Sequence, residues 1–138
     1  MDSSVTVFSY QAKNGAFSSL QTISALPKEY AGRKEAAEIA VDPSGKFLYT
    51  SNRGHDSIAI FEINPAKGTL KSLGRVLSGG QTPRHFAIDP TGTYLLAENQ
   101  ESNTIVVFHI DPATGNLTPT GQTIEVPSPV CITFVAAP

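Results

Sequence analysis

The chain has one cysteine among its 138 residues. Cys131 therefore has no internal partner for a disulfide, and its place in the apolar run Pro129 to Phe134 reads as a buried structural thiol. There is no run of basic residues to follow a nucleic acid backbone, and no apolar stretch long enough to cross a bilayer. Neither nucleic acid nor a membrane is expected as a partner. The opening Met1-Asp2-Ser3-Ser4 has none of the regions of a signal peptide, which favours the cytoplasm. Self-contained catalytic signatures are missing as well. There is no Gly-x-Ser-x-Gly elbow, no His-Glu-x-x-His pair, no phosphate-cradling glycine loop and no calcium-loop spacing. The three histidines, His55, His85 and His109, are scattered, which argues against a first-row metal site. What is left, with 40% hydrophobic content and a net charge of −2, is an ordinary globular composition with enough apolar material for a core.

What the chain does have is repetition. Val41 to Leu73 overlays Ile88 to Thr120 at a constant offset of 47 residues without a gap. Asp42, Pro43, Gly45, Leu48, Asn52, Ile58 and Phe61 recur as Asp89, Pro90, Gly92, Leu95, Asn99, Ile105 and Phe108. A period of about 40 to 50 residues with strand-like content is that of a four-stranded propeller blade. Asp-Pro-Ser-Gly, Asp-Pro-Thr-Gly, Asn-Pro-Ala-Lys-Gly and Asp-Pro-Ala-Thr-Gly punctuate the units. In such loops proline presets φ, Asp or Asn bonds its own backbone, and glycine takes the positive-φ position. The apolar runs between them predict strands over 36–41, 47–51, 57–63 and 69–75, and again over 85–88, 94–98, 104–110 and 117–123. The third run of each unit, Ile58-Ala59-Ile60-Phe61 or Ile105-Val106-Val107-Phe108, is apolar on both faces, as a strand covered on both sides requires.

The ends are partial units. Val5 to Tyr10, Asn14-Gly15 and Phe17 to Ile23 match only the third and fourth strands, with Phe8, Gly15 and Leu20 lying 53 residues before Phe61, Gly68 and Leu73. Six residues beyond the 47-residue period fall in the Pro27 to Arg33 loop. Pro129 to Phe134 matches only the first strand, Pro83 to Ile88. The expected organisation is all-β, a partial β-propeller of four-stranded antiparallel blades. A half blade and loop occupy 1–35, blades occupy 36–82 and 83–127, and a closing first strand occupies 128–138. A closed propeller needs roughly four to eight blades, so this is part of a ring. The region Val5 to Tyr10 and the closing strand then present open edges, which are templates for pairing. Self-association is expected, and a monodisperse, stable monomer in sedimentation would count against it.

The first two strands of a blade are antiparallel, so the start of the first and the end of the second share one end of the ring. Both places are polar here. The strand starts bring Glu38 and Arg84-His85, and the strand ends bring Asn52-Arg53-Gly54-His55 and Glu98-Asn99-Gln100. Guanidinium groups suit carboxylate, phosphate or a developing oxyanion, and a carboxylate or imidazole can activate water. Each residue also has a plain structural reading. Glu98 and Gln100 could be solvated loop residues, Arg84 could bridge blades through carbonyls, and His55 could fill a loop. Asn52 and Asn99 read as turn caps. Glu38 lies between Ala37 and Ile39 on an inner strand, where an unpaired carboxylate is costly, which favours a functional or ion-paired role with Arg53 as partner.

The runs Ala-Ala-Glu-Ile, Ser-Asn-Arg-Gly-His-Asp-Ser-Ile, Thr-Pro-Arg-His-Phe-Ala-Ile-Asp-Pro-Thr-Gly, Glu-Asn-Gln and Val-Pro-Ser-Pro-Val-Cys-Ile resemble, in order and spacing, the C-terminal part of the seven-bladed β-propeller lactonases. That is the 6-phosphogluconolactonase-like group, which also includes fungal carboxymuconate lactonising enzymes. The resemblance implies hydrolysis of 6-phosphogluconolactone or a related organic acid lactone, without metal or organic cofactor. It implies Arg53 as the binder of an oxyanion or substrate anion, Glu38 as a second catalytic group, and Arg84, His85 and His55 around the substrate. A Gly-Pro-Arg-His run and an Asn-Glu-Leu run of the family would lie just upstream of Met1, so only part of the site is expected in this chain. A non-catalytic propeller piece that binds partners or sugars is the other reading.

Overall fold

A computed structural model describes residues 2–136, which hold ten strands and no helix. Strands β1 (Ser4–Gln11) and β2 (Ala16–Ser24) form a two-stranded sheet. Strands β3 (Glu35–Val41), β4 (Phe47–Arg53), β5 (Ser57–Ile63) and β6 (Leu70–Leu77) form a four-stranded sheet in chain order. Strands β7 (Pro83–Ile88), β8 (Tyr94–Asn99), β9 (Thr104–Ile110) and β10 (Leu117–Glu125) form another, and all pairings are antiparallel.

The hairpins form for the reason their residues suggest. Asp42 Oδ1 accepts the Lys46 and Phe47 amides at 3.0 and 2.8 Å, and Asp89 Oδ1 accepts the Thr93 and Tyr94 amides at 2.8 and 2.7 Å. Each aspartate thus satisfies the donors of a turn that runs directly into the second strand of its sheet.

Packing explains why the third strands are apolar on both faces. Ile58 and Ile60 of β5 join Phe47, Tyr49, Phe86, Leu95 and Phe108 in a core between the two four-stranded sheets. Their neighbours Ala59 and Phe61 join Val5, Leu48 and Leu70 in a second core against the two-stranded sheet. Successive residues of one strand thus feed cores on opposite sides. The seam between the four-stranded sheets is tight. The Tyr49 hydroxyl donates to the Gly115 carbonyl at 2.8 Å. A Cβ at Gly115 would come within 2.5 Å of the Phe47 ring, and its φ of +72° already favours glycine.

Three expectations need correcting. Asn52 and Asn99 are not turn caps but fully buried ties, whose Nδ2 groups donate to the carbonyls of Ala25 and Ser78 at 3.3 and 3.1 Å. Those carbonyls belong to the crossovers from one sheet to the next, where a buried acceptor needs a donor. Pro129 to Phe134 pairs with no strand among the described residues, because a strand requires a neighbour to bond. Cys131 within it is consequently exposed rather than buried.

Candidate active site

Two irregular inner strands and the ends of their partners build a polar cleft. In β3 the register with β4 shifts between Ala36 and Ile39, and in β7 the register with β8 shifts between Pro83 and His85. Bulges of this kind re-aim side chains. They bring Glu38, Arg53, Arg84 and His85 to the wall of one cleft of about 340 Å³, together with Ala36, Ala37 and Val130. Among the five residues named from the sequence, His55 does not line this cleft. Its ring packs edge-on against Tyr30 with centroids 4.7 Å apart, and its Nδ1 lies 2.8 Å from the Ser57 hydroxyl. Burial, reinforced by Arg75, holds its pKa below the ordinary histidine value.

The expected Glu38–Arg53 pair does not form. Arg53 stands opposite Glu35 in the β3–β4 register, and its Nη1 lies 3.5 Å from Glu35 Oε2. Arg33 meets the same oxygen at 2.8 Å, and that hydrogen bond lowers the Glu35 pKa. Past the bulge, Glu38 faces the neighbouring sheet instead, with Oε2 3.4 Å from His85 Nε2. Its other oxygen accepts the Ile39 amide at 3.0 Å. The other ring nitrogen of His85, Nδ1, lies 3.0 Å from Glu98 Oε1. Glu98 is fully buried rather than solvated, and burial, added to by the charge of Glu38 and opposed by His85, raises its pKa.

Two carboxylates thus matter more than their sequence context suggests. Glu35 is legible as the register partner of Arg53 once the strands are aligned. Glu98 is legible as the cross-strand neighbour of His85. The arrangement can hold an anion on the two cleft guanidiniums and present a carboxylate and an imidazole to a water molecule beside it. Among the described residues no cluster of His, Cys, Asp or Glu has the geometry of a metal site, and no helix is long and apolar enough to cross a membrane.

The family model described as "Lactonase, 7-bladed beta-propeller" matches residues 1–134. The chain belongs to this lactonase family. Among curated proteins, the 6-phosphogluconolactonase of Bacillus subtilis (strain 168) is 39% identical over 76 residues, which are 55% of this chain and 22% of that protein. Among solved structures, the periplasmic gluconolactonase of Pseudomonas aeruginosa superposes with a TM-score of 0.94 at 36% identity, covering 99% of this chain and 38% of that one. A Lactobacillus plantarum protein superposes with a TM-score of 0.93 at 30% identity, covering 98% of this chain and 39% of that one. The chain therefore spans 22% of the length of the Bacillus relative and well under half of each of these structures.

Proposed function

We propose that this chain takes part in the hydrolysis of a sugar lactone, with 6-phosphogluconolactone the first candidate, at the cleft of Glu38, Arg53, Arg84 and His85. One observation carries the reading. Two guanidinium groups, a carboxylate and an imidazole gather in one cleft at the inner ends of adjacent blades. In the proposed reaction Arg53 binds the oxyanion that forms when water adds to the lactone carbonyl. Glu38 accepts the proton of that water, and Arg84 and His85 hold the remaining polar groups of the substrate. The ring oxygen then leaves as a hydroxyl and the open acid is released. The bacterial relative named 6-phosphogluconolactonase supports the choice of substrate. Acid release from 6-phosphogluconolactone tests the reading. Release faster than in buffer and lost with Arg53→Ala is expected, and release no faster than in buffer would count against it.

A further inference from the structure

Glu98 is an unusual residue for its place. Its side chain has no exposure, Oε1 faces His85 Nδ1 at 3.0 Å, and Oε2 has no hydrogen-bond partner among the described residues. A buried carboxyl with an unpaired oxygen costs stability and calls for an explanation. The fold itself does not require it. Forty-seven residues earlier the equivalent position is Ser51, also fully buried, whose hydroxyl accepts the Glu38 amide at 3.0 Å. Glu38 and His85 are themselves equivalent positions at that offset. One blade therefore places a serine behind its cleft residue, and the next places a carboxyl behind an imidazole.

We propose that Glu98, His85 and Glu38 form a proton relay leading from the cleft to a buried carboxyl. Glu38 Oε2, once protonated, passes its proton to His85 Nε2 across the 3.4 Å contact. His85 Nδ1 passes its own proton to Glu98 Oε1. The ring ends as its other neutral tautomer, the net charge of the three groups is unchanged, and no electrons move. Resting on the hydrolysis proposed above, water loses a proton to Glu38 as its oxygen bonds to the acyl carbon. The relay holds that proton until the carbon–oxygen bond of the ring breaks, then returns it to the departing oxygen. Burial suits Glu98 to this task because it favours the protonated carboxyl. The titratable groups acting on Glu98 are His85 of β7 and Glu38 of β3. Its partner on β9 is the apolar Ile105, and Arg53 of β4 and Arg84 of β7 line the cleft that Glu38 shares.

The test is the tautomer of the His85 ring, read from its ¹⁵N shifts at one pH in the chain without substrate and compared with Glu98→Gln. The native ring should carry its hydrogen on Nδ1, facing the Glu98 carboxylate, and the glutamine variant should show a mixture of the two tautomers. Glu98→Ser, which copies the neighbouring blade, gives the same reading should glutamine disturb folding. An identical single tautomer in a folded variant overturns the relay whether or not the chain hydrolyses a lactone. In the acid-release assay Glu98→Gln should lower kcat by about 10²-fold while KM holds. An unchanged kcat would also overturn the relay.

Discussion

Replacing Arg53 by alanine should lower kcat for lactone hydrolysis by about 10²- to 10³-fold, the cost of removing one preorganised donor to an oxyanion. Its side chain is 16% exposed at the cleft wall, and its buried Nε has no hydrogen-bond partner among the described residues. Its long contact to Glu35 is not what holds the sheet, because Arg33 pairs with the same carboxylate more closely. Ladder hydrogen bonds and the apolar seams hold it instead, so Arg53→Ala should melt near the native temperature. Lysine at the same position keeps the charge but loses the planar fork, and should recover only part of the rate. A variant with native activity would remove Arg53 from the reaction. A variant that has lost its cooperative melt would make its role structural.

Phe108→Ala should cost about 3 to 5 kcal/mol, a large share of the roughly 5 to 15 kcal/mol that separates a folded domain from its unfolded chain. Phe108 has no exposure and sits in the core between the two four-stranded sheets, beside Phe86, Leu95 and Ile110. The cavity would open in the seam that sets one blade against the next, so the cleft built across that seam should loosen as well. Phe17→Ala is the matched control. Phe17 is 67% exposed on the two-stranded sheet, where its ring meets only those of Tyr10 and Phe8 closely among the aromatics, and its loss should cost about 1 kcal/mol in urea unfolding. Equal losses at the two positions would mean that the described packing does not govern stability.

Much of this architecture is legible in the residues, because the features that define it are local. Asp42-Pro43 and Asp89-Pro90 mark turns by their own side-chain hydrogen bonds, and the doubly apolar run through Ile58 and Phe61 announces a strand between two cores. That Glu38, Arg53, Arg84 and His85 share one end of the sheets follows from strand direction, and the bulges of the two inner strands complete the cleft that all four line. What could not be read is what each side chain touches. The bulge after Ala36 re-aims Glu38 away from Arg53, and nothing in a 47-residue period marks a bulge. His55 sits apart because Tyr30, from the loop that carries the six extra residues, packs on its ring. Glu98 is polar in sequence yet wholly buried, with its carboxylate turned onto the His85 ring of the neighbouring strand. Cys131 shows the converse. An apolar run predicts a buried strand only where another strand lies beside it.

In the proposed reaction the inner cleft recognises the carboxylate and phosphate chemistry of a sugar acid and its lactone. The most direct test is an NMR titration of the chain with 6-phosphogluconate, the product of the proposed reaction, reading backbone amides and the arginine Nε–H groups together. Saturable shifts centred on Ala37, Glu38, Arg53, Arg84 and His85 are expected, with Phe8, Phe17 and the other exposed residues of the two-stranded sheet unmoved. Saturable shifts centred on those outer residues, or none at the cleft at saturating ligand, would contradict it.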